Sequence, residues 1–467
     1  MKTQGEIRKW LKFTNRLHSL FFRQSEPLAS ETLISAGPLN IRLAQDLQRR
    51  RIRKIIHSVL PLRFKIGDHY IFDMNNYPST IQEMSLDLSQ CTLLTGSRKP
   101  MSQYVSMHKF SLLTRLELLF PLETENALTL LKTIQNPQLL TSLGLYLKND
   151  SPKYDEPDLT PIFDFIVDCP ELEKLDLRMT HFTNKLELLS RLHSQSRLKI
   201  LNLWLYARTD KHLHDLGAVI SSVGNLESLD ITVDFISDSI YKKTFSEFYQ
   251  GISQLPGLKK LRLEFTSTHD VKIKPAYSEL VNCLDGLSQL EELSFDILDM
   301  NLHLEFPSVL KGLNKIAHQL KKFSMDFIGN YFSGNDEIEL MDVLVKMKRL
   351  RELGISRFSF KQSPESLLKF KEVLEGLEGL KKITWTCFDV SKEGSEVFFD
   401  LVRSVLAKRG VEECKFIQNY EMYLNEKKKI LFDKILERNP KLQVAEIRAS
   451  VILNNWYHYP FETCKYS

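Results

Sequence analysis

LEKLDL (172–177), LKILNL (198–203), LESLDI (226–231), LKKLRL (258–263) and LEELSF (290–295) are five copies of one short pattern, L-x-x-L-x-L. Working outward, the same triplet reads Leu113/Leu116/Leu118 and Leu140/Leu143/Leu145 upstream. Downstream it reads Leu320/Phe323/Met325, Leu350/Leu353/Ile355, Leu380/Ile383/Trp385, Val411/Cys414/Phe416 and Leu442/Ala445/Ile447. An earlier copy falls near Ile81/Met84/Leu86. The spacing averages about 30 residues, the signature of a repeat architecture in which each unit buries its apolar face on the next. The closing x-L-x-L alternates apolar and polar, so each copy is a short strand with its leucines on one face. Between strands the apolar spacing turns helical, as in FSEFYQGISQLPGL (245–258), YSELVNCLDGLSQL (277–290) and ESLLKFKEVLEGLEGL (365–380). A helix of about 10–13 residues between strands makes those strands parallel. An α/β solenoid follows.

The pattern resembles the leucine-rich-repeat family over residues 80–450, and the period of about 30 with a helix per repeat is similar to its long, ribonuclease-inhibitor-like subclass. LTSLGLYL (140–147) has the look of divergent protist repeats. The resemblance implies a horseshoe of about 12–13 repeats, strands concave and helices convex, acting in protein binding as a scaffold or adaptor. It also leaves open a substrate-recognition subunit of a ubiquitin ligase, although residues 1–60 show no convincing F-box, and a regulator of a small GTPase. One departure stands out. The family places Asn or Cys eight residues after the first Leu, where this chain has Pro121, Lys148, Thr180, Tyr206, Asp234, Thr266, Leu298, Ile328, Phe358, Phe388, Asn419 and Ser450. Without an asparagine ladder the solenoid should be irregular, and buried turn amides need other acceptors.

The flanks suggest caps, which a solenoid needs to cover its terminal apolar faces. Residues 1–79 read as a basic helical N-terminal cap, with Trp10, Leu11, Phe13, Leu17, Leu20 and Phe21 at helical spacing and a second helix at about 40–60. Residues 451–467 read as an aromatic C-terminal cap or tail carrying Trp456, Tyr457, Tyr459 and Phe461. Over 467 residues, 63 Lys+Arg oppose 59 Asp+Glu, but residues 1–60 alone hold 12 basic and 4 acidic side chains. No apolar run reaches the ~18 residues of a spanning helix, so no transmembrane segment is expected. Six scattered cysteines without a CxxC pair fit reduced thiols and a cytoplasmic location, with nuclear or mitochondrial addresses as alternatives.

Motifs for chemistry are sparse. No phosphate loop, GxGxxG, HExxH or GxSxG occurs, so neither catalysis nor a cofactor is expected. Asp210-Lys211-His212-Leu213-His214-Asp215 approaches a metal-ligand run, but at a helix start its two histidines diverge and Asp210 reads as a cap. Leucine-rich-repeat family members that activate a small GTPase use an arginine on a loop at one edge of the repeats. Arg178 and Arg208 lie in loosely comparable neighbourhoods, but nothing local matches such a site. The run Arg49, Arg50, Arg51, Arg53 and Lys54 is the densest basic patch. It reads as a solvated face of an amphipathic helix, a nuclear address, or a site for anionic lipid or nucleic acid, the last disfavoured as a partner. The outward strand positions carry more information. Counting two, four and six residues from each first Leu gives mostly polar side chains, except Leu119, Tyr146, Ile200 and Trp204, near Asp176 and Arg178. Tyr, Trp and Arg dominate binding hot spots, so Tyr146, Arg178, Ile200 and Trp204 form the candidate surface for a protein partner.

Overall fold

The computed structural model describes residues 32–35, 54–58, 64–65, 79–87, 93–94, 110–122, 124–148, 158–180, 186–207, 210–235, 242–267, 277–298, 306–328, 334–360, 364–390, 392–408, 410–418, 444–449 and 464–466. They fall into two bodies: residues 1–120 with 129–139, and residues 121–128 with 140–467. In the first, strands β1 (Thr32–Ser35), β2 (Lys54–Ser58), β4 (Glu83–Asp87) and residues 115–120 of β6 (Arg115–Leu122) pair in that order, all parallel. The short β3 (Phe64–Lys65) and β5 (Leu93–Leu94) form a separate parallel pair. Here the structure departs from the helical N-terminal cap. The helix expected at about 40–60 gives way at Lys54–Ser58 to a strand whose Ile55 and Ile56 pair with Met84 and Ser85. Adjacent β-branched side chains favour extended backbone once a strand edge is on offer.

The second body is an open sheet of parallel strands alternating with helices, the α/β solenoid that the repeat predicts. Its strands are β7 (Ser142–Lys148), β8 (Lys174–Thr180), β9 (Ile200–Ala207), β10 (Ser228–Phe235), β11 (Lys260–Ser267) and β12 (Glu292–Leu298). They continue as β13 (Lys322–Ile328), β14 (Glu352–Phe360), β15 (Lys382–Val390), β16 (Glu413–Gln418) and β17 (Val444–Ala449). Each pairs with the next in sequence order, and β18 (Cys464–Tyr466) returns antiparallel on β17. The expected C-terminal aromatics lie outside the described residues.

Register explains the core. Leu143, Leu175, Leu201, Leu229, Leu261, Leu293, Phe323, Leu353, Ile383 and Cys414 stand in one column across neighbouring strands, all buried. A fully buried side chain of this size contributes about 1.5–3 kcal/mol. Helices close the other side of the column. In Phe306–Ile316 the buried residues Phe306, Val309, Leu310, Leu313 and Ile316 recur three or four apart, the stripe of an amphipathic helix. One connection differs from expectation: Leu186–Ser194 is a 3-10 helix. Irregularity also shows between β14 and β15, whose register shifts between Ile355 and Phe358.

Backbone seams join the repeats. At each strand entrance from β8 to β16 two successive amides donate to one carbonyl of the preceding repeat: Lys199 and Ile200 to Glu173 O (2.9 and 3.0 Å), Glu227 and Ser228 to Lys199 O (2.8 and 3.0 Å), Lys259 and Lys260 to Glu227 O (2.9 and 3.0 Å). The device recurs through Glu412 and Glu413, which share Lys381 O. Side chains also reach back one repeat to carbonyls at or just past the helix ends, each of which already accepts a backbone amide. Gln195 Nε2 donates to Ile166 O at 2.9 Å, Gln319 Nε2 to Leu287 O at 2.9 Å, and Lys408 Nζ to Leu374 O at 2.8 Å. Over the seams runs a row of alternating charge, with Lys260–Glu292 at 2.8 Å, Lys322–Glu352 at 3.1 Å and Lys382–Glu413 at 3.6 Å.

Two helices approach unusually closely, Asp210–Ser222 and Lys242–Ser253. A Cβ on Gly251 would sit 2.1 Å from the Gly217 carbonyl oxygen, and one on Gly217 would meet Glu247 O at 2.9 Å. Both positions accept only a hydrogen.

Candidate functional site

A strand with leucines inward must turn the intervening residues outward. β9 shows this directly, alternating Leu201, Leu203, Leu205 and Ala207 inside with Asn202, Trp204 and Tyr206 outside. Parallel register then lines up equivalent outward positions. Tyr146 pairs with Arg178, Arg178 with Trp204, Trp204 with Thr232, and Thr232 with Glu264. Residues separated by 26 to 32 positions in the chain thus become one row on the face.

Within that row the large side chains lean together. The Tyr146 and Trp204 rings lie 6.4 Å apart at 18°, although one strand separates their own. The strand between contributes Arg178, whose guanidinium carbon stands 6.0 Å from the Trp204 ring centroid, a cation–π contact. Arg178 Nε donates to Asp176 Oδ1 at 3.3 Å, and Asn202 Nδ2 reaches Asp176 Oδ2 at 3.5 Å. Beyond Trp204, its indole Nε1 donates to Asp234 Oδ2 at 3.0 Å. Asp234 is buried, and Tyr206 hydrogen-bonds it as well. Burial first, then the charge of Asp234, pushes the Tyr206 phenol above its ordinary pKa, so it stays a donor. The indole is therefore held from both sides before any partner arrives.

Of the sequence candidates, Tyr146, Arg178 and Trp204 come together. Ile200 shares their face but sits at the entrance of β9, four residues or about 13 Å along the strand from Trp204. It is 36 % exposed, a large apolar group open to solvent. Leu119 belongs to the first body. The residue that sequence reasoning passed over is Asp234, noted only as a position lacking Asn. Its signal was its place, eight residues after Leu226, where the leucine-rich-repeat pattern that the sequence resembles carries Asn or Cys.

Other candidates resolve differently. Asp210 opens the helix Asp210–Ser222, in which His212 is buried and His214 exposed beside Asp215 at 3.3 Å; the two histidines diverge as expected at a helix start. Among the described residues no group of three or more His, Cys, Asp or Glu could hold a metal. Cys169, Cys283 and Cys414 are free and buried. Burial, with Asp168 adding, pushes Cys169 up to about 12, and burial also raises Cys283 and Cys414 well above the ordinary thiol value, so these thiols stay protonated. Arg49, Arg50, Arg51, Arg53 and Arg208 lie outside the described residues, and Lys54 opens β2. No helix among the described residues is long and apolar enough to cross a membrane.

No protein-family model matches the chain, and no characterised protein matches it by sequence. Among solved structures it is similar to a chain of the crystal structure of a TLR13–ssRNA13 complex, at 11% identity and a TM-score of 0.26, covering 88% of this chain and 73% of that one.

Proposed function

We propose that the second body is a non-catalytic protein-interaction scaffold or adaptor whose binding face is the outward side of its sheet around Tyr146, Arg178 and Trp204, with Ile200 at its margin. The observation that carries this reading is the pre-organisation of Trp204. A large aromatic ring stands on an outward strand position, locked by Asp234 and flanked by Tyr146 and Arg178. Hot spots are built from these residue types, and rigid side chains lose less entropy on binding. An enzyme would instead need converging acid, base or nucleophile groups. Of the finer roles, adaptor, ubiquitin-ligase recognition subunit or small-GTPase regulator, adaptor asks least of the face. The free buried thiols support a reducing compartment such as the cytoplasm.

The test is proximity labelling in cells by the full chain, read by mass spectrometry, with wild type compared to Trp204→Ala and Tyr146→Ala. We expect a discrete set of labelled proteins to disappear in both variants while circular dichroism stays unchanged. An identical labelled set from all three would sink the assignment.

A further inference from the structure

The chemistry of this face narrows what it takes. Three charged groups surround the two rings, and they are not equally available. Asp234 is 8% exposed and spends its oxygens on Trp204 and Tyr206. Asp176 is 15% exposed and accepts from Arg178 Nε and Asn202, whereas the Arg178 side chain is 36% exposed. An approaching molecule therefore meets the guanidinium first. The hydrogen bond Arg178 makes among the described residues comes from Nε, which leaves both Nη groups without an acceptor there. Asp176 and the Trp204 ring fix the plane of the guanidinium, so its outer edge is an oriented fork. Such a fork matches the two oxygens of a carboxylate.

We propose that the cluster recognises an acidic peptide segment of a partner protein, the Arg178 Nη fork clasping an Asp or Glu carboxylate while an adjacent apolar side chain lies on the Tyr146 and Trp204 rings. This rests on the reading of the face as a protein-binding surface and adds what it selects. The aromatic walls shield the ion pair from water, which strengthens it. Thr232 donates to Glu264, next along the row, at 3.1 Å, and Arg262 Nη2 holds the same Glu264 oxygen at 3.1 Å, so the polar groups on that side are already paired with one another. The segment should run instead toward Ile200.

The experiment uses the full chain and a phage-displayed library of random peptides, with enriched sequences then synthesised and measured by fluorescence anisotropy. We expect winners in which Asp or Glu stands within two positions of a large apolar residue. Their affinity should fall about tenfold or more for Arg178→Gln, recover only partly in Arg178→Lys, and fall comparably for Trp204→Ala. Peptides that depend on Trp204 but carry no acid, or bind Arg178→Gln as tightly as wild type, would overturn acid recognition and leave the binding face standing. Winners rich in Lys and Arg would overturn it too, placing Asp176 in the selecting role. If no enriched peptide lost affinity on Trp204→Ala or Tyr146→Ala, both this proposal and the face beneath it would fall.

Discussion

Glu337 is a carboxyl carried wholly inside the second body, with 0% of its surface exposed. Burial, aided by the charge of Asp336 and opposed by the Ser366 hydroxyl, pushes its pKa up from 4.5 to about 7. Its folded pKa is raised, so its favourable contribution is complete below the unfolded value and is lost as pH climbs through the folded one. Above pH 7 the fold carries a standing penalty on the order of 3 kcal/mol. Glu337→Gln should therefore raise Tm clearly at pH 8 and scarcely at pH 5; equal shifts at both would show that titration is not the cause. At this scale the chain was half legible. Counting from Leu198 puts Trp204 outward, because alternation is the geometry of any strand. That Asp234 holds its indole was hidden, since the two lie 30 residues apart and meet only through register.

Helices read well from apolar spacing, and their glycines read badly. Gly217 and Gly251 look like weak points in two helix interiors, where glycine costs about 1 kcal/mol against alanine. Their reason is tertiary: each leaves room for the other's backbone. Gly251→Ala should lower stability by about 1–3 kcal/mol, an overpacking cost that denaturant unfolding would report. Gly224, with nothing within 4 Å of its would-be Cβ, is the control, and Gly224→Ala should be neutral. If both substitutions behaved alike, the contact between helices would not explain the glycines. The same blindness to context accounts for β2, where at 54–58 the helical spacing gave way to pairing of Ile55 with Met84.

Over the whole molecule the period of about 30 was the most legible feature, because every repeat writes the same core column into the sequence. The division into two bodies was not, since the triplet runs through residues of both without a change in spacing. Stability in such an array is close to a sum of units and nearest-neighbour seams, and the seams are alike in backbone. They are not alike in charge. Lys260, Glu292, Lys322, Glu352, Lys382 and Glu413 alternate in sign, so the true repeating unit of the charged row is a pair of repeats. The array consequently has a parity. Excising 292–321 would splice one repeat out and set Lys260 beside Lys322; excising 292–351 would remove two and set Lys260 beside Glu352. We expect the shorter excision to leave a protein whose Tm rises with added NaCl as the like charges are screened, and the longer one to lack that rise. Equal salt responses in the two would leave the alternation without consequence. Otherwise, this part of the chain can change length by even steps more readily than by odd ones.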